Sequence, residues 1–174
     1  MIPMPTHLKN ILIPIGDENN EFDVHGIIRC SCGHECFSVK IYANTENGYP
    51  QVCKYQDGYA FVIKVHCKEC GKEYFILDMS QHGWNGLVCH DGLTVPDEEL
   101  KIWNCPKCGR DTHTVETTIV SQGKQHFIEE SGIADGETEF DENDWVDAFE
   151  WITIGLKCTN CRHEDKKWID YETM

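Results

Sequence analysis

Four short cysteine pairs constrain this chain more than anything else in it: Cys30-Ser-Cys32, Cys67-Lys-Glu-Cys70, Cys105-Pro-Lys-Cys108 and Cys158-Thr-Asn-Cys161. They take up eight of the eleven cysteines and leave Cys36, Cys53 and Cys89 over. Neighbouring cysteines are poorly placed for structural cross-links but well placed to grip one ion from a single turn. In order along the chain they form two sets of four, separated internally by 34 residues (33–66) and 49 residues (109–157). Gly33, Gly71 and Gly109 follow the second cysteine of three pairs. A turn that aims backbone N–H groups at two sulfurs often needs the positive φ that glycine supplies. The fourth pair carries Arg162 there, and the first is one residue short, which leaves Cys32-x3-Cys36 as an alternative pairing. The expected ligands are Cys30, Cys32, Cys67 and Cys70 for one ion and Cys105, Cys108, Cys158 and Cys161 for a second. Cys36, Cys53 and Cys89 read as small, partly buried hydrophobes.

CPKCG at 105–109 and CKECG at 67–71, with the looser RCSCG at 29–33 and CTNCR at 158–162, resemble the knuckles of the zinc-ribbon group. That resemblance implies two cysteine knuckles at hairpin ends clasping one zinc, beside a small antiparallel sheet. It names a fold group and leaves function open. Two structural zinc ions are therefore expected, with iron as the lesser alternative.

The segments between knuckles read as strands. Residues 37–43 alternate and end at a loop containing Asn47-Gly48; residues 51–55 precede an Asp57-Gly58 turn; residues 59–65 lead into Cys67 and 73–77 leave it. In the second half, 101–103 enter a knuckle and the β-branched run 112–120 leaves it. A turn at Gln122-Gly123 precedes His126–Ile128, then 150–156 enter Cys158 and 167–171 leave Cys161. Aligned on their cysteine pairs, the two halves match Ile63 with Ile154 and Val65 with Leu156, which reads as internal duplication. The expected fold is mostly β: two tandem zinc-ribbon-like antiparallel units, each built round four cysteines. The expected division is an N-terminal extension (1–25), ribbon 1 (26–77), a connector (78–100) and ribbon 2 (101–174) with an acidic insertion (129–150).

Charge is concentrated. The formal net charge is −15, and residues 129–150 hold ten acids and no base. Phe140, Trp145 and Phe149 interrupt the run, and Asn143 or Asp144 could cap a short helix near Trp145. An ordinary solvated hairpin accounts for such a segment. The sharper expectation is docking of a basic protein, with Phe140, Trp145 and Phe149 as anchors among Asp141, Glu142 and Asp144. The acidic balance counts against a general basic surface for polyphosphate. Lys64, Lys68 and Lys72, or Lys107, Arg110, Lys157, Arg162, Lys166 and Lys167, could still form local patches, so nucleic-acid binding or a transcription-associated role is the first alternative.

The connector carries His82, Cys89 and His90, and an enzyme using them is the second alternative; adjacency alone does not establish a nucleophile and its base. Its other reading is a linker whose Trp84 and Leu87 plug the seam between ribbons. A four-cysteine site is closed to water, so its metal is structural. The chain has no HExxH, GxSxG or phosphate-cradling glycine loop, and Pro106 lies inside its pair where the zinc-deaminase pattern needs it before. The expectation is a non-enzymatic, zinc-stabilised interaction module. Residues 1–15 lack the apolar run of a secretory signal, and nothing later approaches a membrane span, so a cytoplasmic location is expected.

Overall fold

A computed structural model describes residues 2–89 and 92–174. The elements in order are β1 (Leu12–Pro14), β2 (Asp23–Ile28), β3 (Phe37–Tyr42), β4 (Cys53–Tyr55), β5 (Gly58–Ala60), β6 (Val62–Cys67), β7 (Glu73–Asp78) and α1 (Gly83–Val88). There follow β8 (Lys101–Ile102), β9 (Thr112–Val120), α2 (Lys124–Glu130), β10 (Trp151–Cys158) and β11 (Glu164–Glu172). Short 3-10 turns occupy Asp97–Glu99 and Asp144–Val146. The fold is mostly β and antiparallel, with two four-cysteine groups in tandem. No helix among the described residues is long and apolar enough to cross a membrane.

The halves repeat one plan. In the first, β3, β6 and β7 lie side by side; in the second, β9, β10 and β11 do the same. Phe37 pairs with Cys67, where the later knuckle of the first half begins, and His113 pairs with Cys158 at the matching place in the second half. Both meanders slip register one strand further out, between Ile63 and Lys64 in one and between Ile154 and Leu156 in the other. A β-bulge at the same depth in each half supports the duplication independently of the cysteines.

The two plans meet along an internal two-fold. β3 and β9 pair antiparallel only at their starts, Phe37 opposite His113 and Ser38 opposite Thr112. Phe37 follows Cys32 by the same five residues that separate His113 from Cys108, so the dyad passes between equivalent positions. Cys67, Phe37, His113 and Cys158 thus lie in one row across four strands. Three strand spacings separate the outer two, about 14 Å.

Each half also lends its leading strand to the other. β2 runs into the first knuckle but pairs with β9, Ile27 opposite Glu116 and Gly26 opposite Thr117. β8 runs into the knuckle at Cys105 but pairs with β3, Ile102 opposite Lys40 and Lys101 opposite Ile41. Ile27 and Ile102 each precede their knuckle by three residues. This reciprocal exchange makes one sheet of both ribbons.

The main core lies on that sheet and draws on both halves, including Phe37, Val39, Ile63 and Val65 with Val115, Ile119, Ile152 and Ile154. The N-terminal segment belongs to it as well, since Leu8, Ile11 and Leu12 are fully buried. A smaller cluster gathers Trp84 of α1 with Phe127 of α2, Trp145 and Ala148. His126–Ile128 is therefore helical rather than extended. Gly123, at φ +89, turns the chain into α2, and Phe127 drops into the cluster.

Candidate metal centre

Each knuckle is fixed by backbone hydrogen bonds before any ion is considered. The N–H groups of Cys67, Cys105 and Cys158 donate to the carbonyls of Lys72, Arg110 and His163, at 2.8, 2.7 and 2.8 Å. The shorter first knuckle closes one residue sooner, Cys30 N–H to His34 O at 2.8 Å. The residue after each second cysteine donates back to the carbonyl of the first: Gly33, Gly71, Gly109 and Arg162. All four occupy left-handed backbone, at φ +92, +76, +74 and +64. Arg162 thus adopts the glycine conformation with a side chain attached, which costs on the order of 1 kcal/mol.

The sulfurs gather as the spacing suggests. Those of Cys30, Cys32, Cys67 and Cys70 lie within 4.8 Å of one another, and so do those of Cys105, Cys108, Cys158 and Cys161. Cys36 belongs to neither group; its carbonyl instead accepts the Lys68 N–H, just as the Thr112 carbonyl accepts the Thr159 N–H. Cys36 and Thr112 flank the dyad in the two halves. The first cysteine of every knuckle is buried, while the second is exposed at Cys32, Cys70 and Cys161 and half-buried at Cys108. Each pair therefore roots one sulfur in the core and closes the site from the solvent side with the other.

Crowding divides the acidities of the four thiols. Burial opposes ionisation of Cys30, yet the Cys32 N–H, the Tyr74 hydroxyl and neighbouring thiols favour its thiolate and bring it to about 6. The Arg110 N–H leads the same effect at Cys108, also at about 6. At Cys32 the His34 N–H favours the thiolate, but burial and three nearby sulfurs together push it up to about 12. Cys161, with the His163 N–H in the same role, is pushed up to about 12 likewise. A first thiolate forms readily and further ones repel it. A divalent cation at the centre removes that repulsion. The four-sulfur donor set and the closeness of its members fit such an ion, so both sites could hold metal.

Two groups near the first site were not legible in the spacing. The Tyr74 hydroxyl lies 3.3 Å from Cys30 Sγ, and His34 Nδ1 lies 3.5 Å from Cys32 Sγ. An alternating strand leaving a knuckle puts its second residue, Tyr74, beside the neighbouring turn.

The other singled-out residues are dispersed. His82 Nδ1 accepts the Asp78 N–H at 2.9 Å, and its ring stacks on His7 at 3.7 Å between centroids. Burial, with His7 adding to it, lowers His82 to about 3. No hydrogen bond joins it to Cys89 among the described residues, and His90 lies outside them. Trp84 and Leu87 pack on the second-half insertion rather than between the ribbons. Among the lysines, Lys64 pairs with Glu73 and Asp97, Lys68 with Asp111, and Lys167 with Asp170, while Lys72 donates to Ser31.

In the acidic insertion, Trp145 is 5% exposed and Phe149 fully buried, whereas Phe140 is half-buried against Phe127. Trp145 and Phe149 are thus core residues of this chain, and their rings are not free to anchor a partner. Asp144 accepts the Asp141 N–H, Asp141 accepts from Asn143, and Glu142 pairs with Lys124. Asp147 takes two hydrogen bonds from Thr6. Glu130, Asp135, Glu137 and Glu139 are exposed and have no ion pair among the described residues. Comparison with protein-family models, curated proteins and solved structures finds no match to this chain.

Proposed function

We propose that the chain is a non-enzymatic interaction module held together by two structural zinc ions, with its acidic insertion facing a basic protein. The observation that carries this reading is the closure of both clusters. Four mutually close sulfurs are the full ligand set of a tetrahedral zinc site, which leaves no position for water or substrate. Zinc, when bound, supplies a cross-link between a knuckle preceding a strand and the knuckle two strands away. The chain's own residues orient the thiolates through the knuckle N–H groups and bury half of the sulfurs.

Placement of the acids supports the docking half. Glu130, Asp135, Glu137 and Glu139 stand free on a surface rooted by Phe127, Trp145 and Ala148 beneath it. Complementary charge of this kind mainly speeds encounter and sets salt dependence. Nucleic acid is the weaker partner, because several of the lysines that would meet phosphate are engaged with carboxylates. A fluorescent octalysine peptide is a direct probe. It should bind with an affinity that falls steeply with salt, and neutralising those four acids should flatten that dependence without altering metal content. Equal binding by the neutralised variant would overturn the docking reading and leave the metal reading standing.

A further inference from the structure

The internal two-fold is broken at one edge, and what stands there in one half shows what the other half lacks. In the first half the leading strand β2 is covered by β1, with Leu12 opposite Ile28, Ile13 opposite Ile27 and Pro14 opposite Gly26. That ladder is extended by Arg29 N–H to Ile11 O at 2.7 Å and Ile15 N–H to His25 O at 3.0 Å. Hydrogen-bonded pairs alternate along an antiparallel ladder, so both backbone groups of Ile27 point at β1. In the second half the leading strand β8 has no such cover among the described residues. The Trp103 N–H donates to Val39 O at 2.8 Å, which turns residues 101 and 103 toward β3 and the N–H and C=O of Ile102 toward the open side. Ile102, the equivalent of Ile27, is 49% exposed.

We propose that the open edge of β8 is a docking site for an extended segment of another protein, added as a strand in the place that β1 holds in the first half. Main-chain bonds to an exposed edge give such complexes their affinity, and alternate side chains give them specificity. A groove of about 480 Å³ lies alongside, lined by Ile41, Tyr42, Cys53, Ile102 and Trp103 among others. Ile41, Tyr42, Ile102 and Trp103 offer apolar contacts to the added strand, and Thr45, Glu99 and Lys101 make the rest of the wall polar. Before Leu100 the chain is not strand but the 3-10 turn Asp97–Glu99, where Glu98 and Glu99 are both exposed and without an ion pair among the described residues, so this end of the edge is acidic. The occupant is therefore an apolar extended stretch followed by basic residues. A second copy of the chain is disfavoured by the repulsion of two net charges of −15. This edge is separate from the acidic insertion, and neither docking proposal depends on the other.

The test uses the full metal-loaded chain and a labelled peptide that copies residues 10–15 and ends in two arginines: Asn-Ile-Leu-Ile-Pro-Ile-Arg-Arg. Fluorescence anisotropy should show saturable binding. N-methylation of the isoleucine between leucine and proline removes the N–H that would meet the Ile102 carbonyl, and it should weaken binding at least tenfold. Ile102→Pro should do the same from the protein side, and Glu98→Gln with Glu99→Gln should weaken binding severalfold. The N-methylated peptide keeps the test decisive even if Ile102→Pro fails to fold. Failure of the parent peptide to bind, or equal binding of the N-methylated one, would overturn the proposal. So would a dimer in sedimentation that Ile102→Pro dissociates, since the occupant would then be a second copy.

Discussion

The first half and the second half share a register almost residue for residue, yet different interactions cover the same backbone. On the strands of the first half, Lys40 and Lys64 close on Glu73 and Asp97 at 2.8 to 3.6 Å. The equivalent places in the second half are Glu116, Gly155 and Glu164, which cannot form that network. Where the first half joins β3 to β6 through the small β4–β5 hairpin, the second joins β9 to β10 through α2 and the acidic insertion with a hydrophobic cluster of its own. The place of the bulge and the central row do not differ, and all four knuckles keep a left-handed closing residue, although the one at Cys30 is a residue shorter. What the halves hold in common is therefore what the metal sites need, and what differs is free to serve surfaces.

The comparison breaks most forcefully at the ligands. Because each half lends a strand to the other, a lost ligand in either one should disturb both. Cys67→Ser and Cys158→Ser should each cost more than about 4 kcal/mol, a fraction of the roughly 10–16 kcal/mol that a structural zinc site supplies. Cys36→Ser, Cys53→Ser and Cys89→Ser should cost about 1 kcal/mol or less. Thermal melts followed by far-ultraviolet circular dichroism and by tryptophan fluorescence should give coincident transitions for each ligand variant. Two separated transitions would show that the halves melt alone, and the strand exchange would then contribute little.

The charged network is the next difference. Hydrogen bonds from Lys40, Lys64 and His66 hold Glu73 well below the ordinary value of 4.5, at about 2. A carboxyl with a depressed folded value stabilises above its unfolded value and loses that contribution as pH falls. Glu73→Gln should therefore be less stable than the parent at pH 7, with the gap closing between about pH 4.5 and about pH 2. Glu164→Gln, at the equivalent place in the second half, should show no such gap. Urea denaturation at pH 7, 4 and 2.5 separates the two; a pH-independent gap for Glu73→Gln would remove the network from the account.

A smaller effect sharpens the knuckles. Arg162 is the one knuckle residue that holds left-handed backbone without being glycine. Arg162→Gly should raise stability by about 0.5 kcal/mol, the relief of strain being partly offset by the greater freedom of glycine in the unfolded chain. Gly71→Ala and Gly109→Ala should each lower it by about 1 kcal/mol. Chemical denaturation of the metal-loaded proteins resolves these signs, and a destabilised Arg162→Gly would assign the arginine a contact that outweighs its strain.

Local chemistry makes much of this legible in the sequence. The knuckles are legible because two sulfurs and a left-handed turn need fixed spacing, and β9 is legible with its bounds intact because Thr112–Val120 is dense in β-branched residues. The matched offsets of Ile63 with Ile154 and Val65 with Leu156 hold in the sheet. The exchange of β2 and β8 was not legible, since nothing in a strand's own residues says which distant strand it joins. Leu8, Ile11 and Leu12 are not legible as core for the same reason: their burial depends on a sheet assembled from both halves. The stretch 126–128 looked extended because a seven-residue helix shows too little periodicity to compete with its β-branched flank. Trp145 and Phe149 suggested a surface because acids surround them in sequence, whereas in space they face Phe127 and the main core.

Native mass spectrometry of the full chain, purified without added chelator, tests the central claim most directly. Two zinc ions per chain should be retained, both being lost only under conditions that also unfold the protein, while Cys36, Cys53 and Cys89 alone react with a thiol reagent in the folded state. One ion, none, or two that leave a folded and still thiol-protected chain behind would contradict the account.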